Sequence, residues 1–89
     1  MIDNIVIGKI LVEPHLLFAK DENDWEKNIK ARTHFTEERF LPRLLVEVGA
    51  VKSVSEVRRN QPKLMVTLDE IDFITVKWGK RILSIAIGQ

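Results

Sequence analysis

Gly49-Ala50-Val51-Lys52-Ser53-Val54-Ser55-Glu56-Val57-Arg58-Arg59 is the stretch on which the fold of this chain turns. Gly49 follows an apolar stripe of helical period: Phe40, Leu41, Leu44, Leu45 and Val48. It reads as the left-handed residue that closes a helix. Ser53, with Glu56 three positions on, forms a capping box. The Ser53 hydroxyl accepts from the Glu56 amide, and the Glu56 carboxylate reaches back to the Ser53 amide. Val54 and Val57 then face inward, and Pro62 stops the helix near Asn60. A tight turn between two short helices, the second with adjacent arginines, is a common way to approach a phosphate backbone.

Working back toward the N-terminus, Thr36-Glu37-Glu38 has the hydroxyl cap and first-turn acids of a helix start. Pro42 conflicts with a straight helix from Thr36, because it removes one hydrogen bond and clashes with the preceding turn. The helix is either kinked there or begins with Pro42 in its first turn. Ile5–Val12 reads as a β-strand, nearly continuous in apolar residues, ended by Pro14. Leu16–Ala19 reads as a second short strand, although four residues do not distinguish a strand from a first helical turn. Asp24 is placed to cap a short helix carrying Trp25 and Ile29, with Lys27, Asn28, Lys30 and Arg32 in water. The polar stretch Asp21–Phe35 is the part expected to be most mobile.

Toward the C-terminus, Phe73–Trp78 and Arg81–Ile87 flank the two-residue loop Gly79-Lys80, a β-hairpin with a type II′ turn. That turn sets Trp78 opposite Arg81, Val76 opposite Leu83 and Ile74 opposite Ile85 on one apolar face. Lys77–Ile82, Thr75–Ser84 and Phe73–Ala86 share the other face, expected to look outward. Lys63–Leu68 suits a helix through Leu64 and Leu68 and a strand through Val66 and Thr67.

At 89 residues, residues 1–89 form a single small domain with a thin core. Hydrophobic residues at 45% and charged residues at 30% are the balance of a globular chain and exclude general disorder. The net charge of +1 excludes a polycation. Charge is unevenly spread. Residues 1–45 carry seven Lys/Arg and eight Asp/Glu, and residues 46–89 carry seven and five. Absence of cysteine excludes disulfides and thiolate chemistry and fits a reducing cytosol. Asp3 and Asn4 stand where a secretory n-region would be basic, and no apolar run is long enough to span a bilayer. The expected setting is cytoplasmic, with no membrane partner.

Leu44, Leu45, Gly49, Ser53, Ser55, Glu56, Arg58 and Arg59 stand in a pattern that resembles the αL-motif RNA-binding domain. That domain occurs in a ribosomal small-subunit protein, tyrosyl-tRNA synthetases and pseudouridine synthases. Ile74–Arg81 is similar to the family's final basic β-segment. The resemblance is close over Gly49–Arg59 and loose over about half of the chain. It implies that Arg58 and Arg59 contact RNA. The chain departs from the pattern at Asn60-Gln61-Pro62, where family members continue with apolar residues, a Gly and a short hairpin ending in Asn-Gly. A winged helix-turn-helix is the second resemblance. Its helices would be Thr36–Val48, Ser53–Asn60 and a recognition helix Gln61–Leu68, with Phe73–Ile87 as the wing.

The hairpin tip carries Lys77, Lys80 and Arg81 around Trp78, suited to nucleic acid by charge and stacking. The structural alternative lays Arg81 over the Trp78 ring as a cation–π pair. His15 and His34 lack metal-ligand companions at local spacing, and Asp69, Glu70 and Asp72 lack the spacing of a calcium loop. No metal, cofactor or catalytic residue is expected.

The sequence thus predicts an α+β domain with an N-terminal β element, two or three short helices and a C-terminal hairpin. Its expected function is non-enzymatic RNA or DNA binding through Lys52, Arg58, Arg59, Lys63, Lys77, Lys80 and Arg81. The competing expectation is a protein-interaction or assembly subunit that self-associates through its N-terminal strand, because an apolar strand needs cover on both faces.

Overall fold

A computed structural model describes all residues, Met1–Gln89. Strand β1 (Asn4–Ile7) is followed by helix α1 (Pro14–Phe18). Helix α2 (Glu22–Asp24) then runs into a π-helical turn, Trp25–Ile29, and a 3-10 turn, Lys30–Arg32. Strand β2 (Thr33–Thr36) leads to helices α3 (Leu41–Glu47) and α4 (Val54–Asn60). A 3-10 turn at Pro62–Leu64 precedes the hairpin of β3 (Asp72–Trp78) and β4 (Arg81–Ile87). The four strands form one mixed sheet of order β2-β1-β4-β3, parallel at β1–β2 and β1–β4 and antiparallel at β3–β4. The architecture is α+β, as the sequence predicts.

The hairpin follows its turn. Gly79 sits at φ +62° and no non-glycine residue has positive φ, which is the type II′ pattern. Trp78 pairs with Arg81, Val76 with Leu83 and Ile74 with Ile85, the expected register. Ile5, Ile7, Val76, Leu83, Ile85 and Ile87 line one sheet face. They pack with Leu41, Leu44, Leu45, Val48, Val51 and Val57 from the α3–α4 layer. Each such Leu or Ile withdrawn from water contributes about 2 kcal/mol before entropy is counted.

The other sheet face is not left open along its length. The segment Pro14–Arg32 covers its first part. Trp25 is buried and meets Phe35 edge-on at 6.4 Å, and Phe18 lies 5.7 Å from Phe73. Val6 and Ala86 are buried beneath this layer. Thr75, Lys77 and Ile82 near the turn stay exposed.

Several expectations are corrected. Strand β1 ends at Ile7, not Val12, because Gly8 turns the chain at φ +69°. Leu16–Ala19 lies largely in helix α1, with Pro14 in its first turn. Thr36 closes strand β2 and does not open a helix; helix α3 begins at Leu41 with Pro42 in its first turn, the second of the two readings. No helix forms over Gln61–Leu68. After the Pro62–Leu64 turn the chain is extended, bridging Thr67 to Phe40, with the Leu41 amide on the Val66 carbonyl at 2.9 Å and the Leu68 amide on the Arg39 carbonyl at 2.7 Å. The short helix is capped by Asp21, not Asp24: the Asp21 carboxylate accepts from the Asp24 amide at 2.7 Å, and Asp24 makes no cap hydrogen bond to the turn that follows.

The N-terminal strand finds its cover inside the chain. β1 lies between β2 and β4, and Ile5, Val6 and Ile7 are all buried. Self-association through that strand therefore loses its motive. No helix is long and apolar enough to cross a membrane.

Candidate nucleic-acid interface

The turn between α3 and α4 is fixed by short-range hydrogen bonds. Gly49 takes φ +75°, its amide donates to Val46 (3.0 Å), and the Ala50 amide donates to Leu45 (2.8 Å). This is a Schellman closure. Ser53 caps α4 through the Glu56 amide at 3.4 Å. The Glu56 carboxylate returns to the amide of Lys52 at 3.2 Å, one residue earlier than the capping box predicts. Val57 is fully buried in the core, so α4 is held with Arg59 turned roughly opposite it and Arg58 to the side.

Arg58 and Arg59 are exposed in the last turn of α4. Lys52 is exposed in the turn before it, and Lys63 in the 3-10 turn after it. The ion pairs of the molecule involve Lys30, Arg32, Arg43 and the two histidines. None uses Lys52, Arg58, Arg59, Lys63, Lys77 or Lys80, and Lys9, Lys20, Lys27, Arg39 and Arg81 also stand outside ion pairs. Between Val48 and Leu68 the only acid is Glu56, whose carboxylate accepts from a backbone amide. The nearest acidic run, Asp69, Glu70 and Asp72, precedes the core of β3, while Lys77 and Lys80 lie at its far end.

The end of α4 is tied to the hairpin. The Gln61 side-chain amide donates to the Lys77 carbonyl at 3.4 Å. Side chains then divide about the sheet. Val76 and Trp78 point toward the helices, so Lys77 projects from the opposite face. Lys52, Arg58, Arg59 and Lys63 belong to the helix layer, Lys80 to the turn between the two faces, and Lys77 to the far side.

Arg81 leaves the set. Its guanidinium is drawn inward, donating to the Val48 carbonyl at 3.2 Å and to the Ile2 carbonyl at 2.7 Å. It closes the C-terminal end of α3 onto the start of the chain. The expected stack on Trp78 does not form; the cation–π pair of the molecule is Arg43 over Phe40, at 5.5 Å. A guanidinium two positions from a glycine turn reads as a tip cation in sequence, and only the placement of α3 beside β4 gives it carbonyls to bind.

Sequence spacing also missed a cluster. Glu13, His15 and Glu22 come together where α1 meets α2, with one potential ligand atom from each within 4.8 Å of the others. The Glu13 carboxylate lies 3.3 Å from Nδ1 of His15 and Glu22 lies 4.0 Å from Nε2. The two carboxylates thus approach the imidazole from its Nδ1 and Nε2 sides. A groove of about 250 Å³ lined by Leu11, Val12, Leu17, Ile71 and Phe73 lies by the start of β3. Its apolar residues are scattered over four segments, which left no periodic signal.

Comparison with protein-family models, with curated proteins and with solved structures returned no match.

Proposed function

We propose that the chain is a non-catalytic nucleic-acid-binding module that grips the phosphate backbone with the helix layer, Lys52, Arg58, Arg59 and Lys63, and extends the contact with Lys80. The observation that carries this reading is the state of the two arginines: exposed, adjacent, on a rigidly closed helical turn, and without any acidic partner. Exposed ionised side chains without counter-charges are suited to phosphate oxygens, and Arg offers them a planar fork.

RNA is the favoured class. A groove-reading mode on duplex DNA would use a helix over Gln61–Leu68, and that segment is a single 3-10 turn followed by extended chain. The resemblance of Gly49–Arg59 to the αL motif points to RNA as well. Lys77 and Arg81 drop out of the primary contact, the first by its face and the second by its hydrogen bonds to Val48 and Ile2.

The test is a salt titration of binding to structured RNA, single-stranded RNA and duplex DNA. Phosphate contacts give a linear fall of log affinity with log salt. The Arg58→Ala/Arg59→Ala variant should bind more weakly with a shallower slope. Absence of binding to all three at low salt rejects the reading.

A further inference from the structure

We infer that β3 is a self-complementary edge, and that a second copy of this chain pairs with it antiparallel about a two-fold axis at Thr75. β3 is the outer strand of the sheet, with β4 its only strand partner. Its seven residues run without a bulge, since the register with β4 is unbroken from Asp72↔Ile87 to Trp78↔Arg81. Edge strands left unpaired are usually shortened, bulged, or interrupted by Pro or Lys. Phe73-Ile74-Thr75-Val76 has none of these devices, and the one lysine of the strand, Lys77, stands next to its last residue.

The direction of the backbone groups follows from the hairpin. A two-residue loop makes Trp78 and Arg81 a hydrogen-bonded pair, and alternate pairs follow: Val76–Leu83, Ile74–Ile85 and Asp72–Ile87. Two contacts on the other side of β4 agree, because the Ser84 amide donates to Asp3 at 2.9 Å and the Gly88 amide to Ile7 at 2.8 Å. Phe73, Thr75 and Lys77 therefore turn their backbone groups to the open edge. The Lys77 carbonyl shows this directly by accepting from the Gln61 side chain.

These three residues are symmetric about Thr75. In the paired edge, Thr75 exchanges two hydrogen bonds with its own copy, and Phe73 exchanges two with Lys77 of the second copy at each end. The Phe73 amide and the Lys77 carbonyl have local partners meanwhile, the Asp72 carboxylate at 2.8 Å and the Gln61 amide at 3.4 Å. Both partners are side chains able to rotate away. The Thr75 groups, the Lys77 amide and the Phe73 carbonyl have no such substitute.

Charge sets the direction. One end of β3 has Asp69, Glu70 and Asp72, and the other has Lys77 and Lys80. Antiparallel pairing sets each acidic end beside the basic end of the second copy, twice over. On the outward face the Lys77 stem of one copy lies across the exposed Phe73 of the other, and on the helix face Ile74 meets Val76. One edge pairing is a small interface, so the dimer belongs to the weak class and responds to salt. This dimer uses neither Arg58 nor Arg59 and shares only Lys80 with the nucleic-acid reading.

The experiment is sedimentation of the full chain, without nucleic acid, across a concentration series at low and high salt, with amide exchange read at Thr75 and Lys77. A concentration-dependent dimer, weakened by salt, with both amides protected as it forms, is the expected result. Thr75→Pro removes only an outward amide, so the sheet remains intact and the dimer weakens by about tenfold or more through two lost hydrogen bonds. A chain that stays monomeric at every concentration, with the Thr75 amide exchanging as fast as loop amides, overturns the inference. So does a dimer that survives unchanged in a folded Thr75→Pro variant. Should that variant not fold, exchange at Thr75 and Lys77 of the native chain decides alone. An edge meant for a strand of a different protein gives the monomeric outcome.

Discussion

The guanidinium of Arg81 donates to the carbonyl of Ile2 at 2.7 Å, joining the hairpin turn to the start of the chain. The same group donates to Val48 at the end of α3, so one side chain satisfies acceptors from two distant segments. Arg81→Ala leaves both without this donor, and a lost charge-assisted bond of this kind costs about 2 kcal/mol. Arg81→Lys should recover only part, because an ammonium lacks the fork that spans two carbonyls. Chemical denaturation of the three proteins checks both statements. RNA affinity of folded Arg81→Ala should stay near that of the native chain.

The arginine pair makes the opposite prediction. Arg58→Ala/Arg59→Ala should change stability by no more than about 0.5 kcal/mol, since neither side chain is packed or paired. If each contacts one phosphate, the salt slope for RNA falls by about 1.4–1.8. Glu56→Gln should act in reverse. It keeps an acceptor for the Lys52 amide while removing the only acid between Val48 and Leu68, so binding tightens at low salt and converges with the native chain at high salt.

Gly49 and Gly88 are constrained for different reasons, and alanine separates them. A Cβ at Gly49 meets no atom, so Gly49→Ala carries only the backbone penalty of φ +75°, about 1 kcal/mol. A Cβ at Gly88 would overlap the Lys9 carbonyl, where the Lys9 and Gln89 backbones pair. Gly88→Ala should therefore lower the thermal midpoint clearly more than Gly49→Ala.

Asp24 offers a pH test. The side-chain amide of Asn28, donating at 2.8 Å, and the backbone amide of Lys20 at 3.0 Å hold its carboxyl below the ordinary value. A carboxyl depressed on folding stabilises the native state above its unfolded pKa, and the contribution is lost as pH falls through the folded pKa. Asn28→Ala should thus be less stable than the native chain at neutral pH, with the gap closing below about pH 4. Urea unfolding at stepped pH reads the difference.

Elements whose signals lie within a few residues were legible without coordinates. Gly49 closes α3 through bonds to Leu45 and Val46, Ser53 caps α4 through Glu56, and Gly79-Lys80 fixes the hairpin register. In each the interacting groups are close along the chain, so residue type and spacing set the geometry. The exposure of Arg58 and Arg59 followed as well, because Val57 fixes which side of α4 is buried.

Tertiary structure alone decided the rest. Thr33-His34-Phe35-Thr36 is only four residues long with a single apolar side chain, and becomes β2 by pairing with Asn4–Ile7, a long way back in the chain. The same pairing places β1 in the middle of the sheet and removes the motive for an N-terminal dimer. Arg81 is drawn off the basic tip by carbonyls of Val48 and Ile2, and Lys77 is sent to the far face by the sheet position of Val76. Short-range hydrogen bonds are written in local sequence. Strand order and the partners of a long, flexible cation depend on which distant backbone groups the completed core brings within reach.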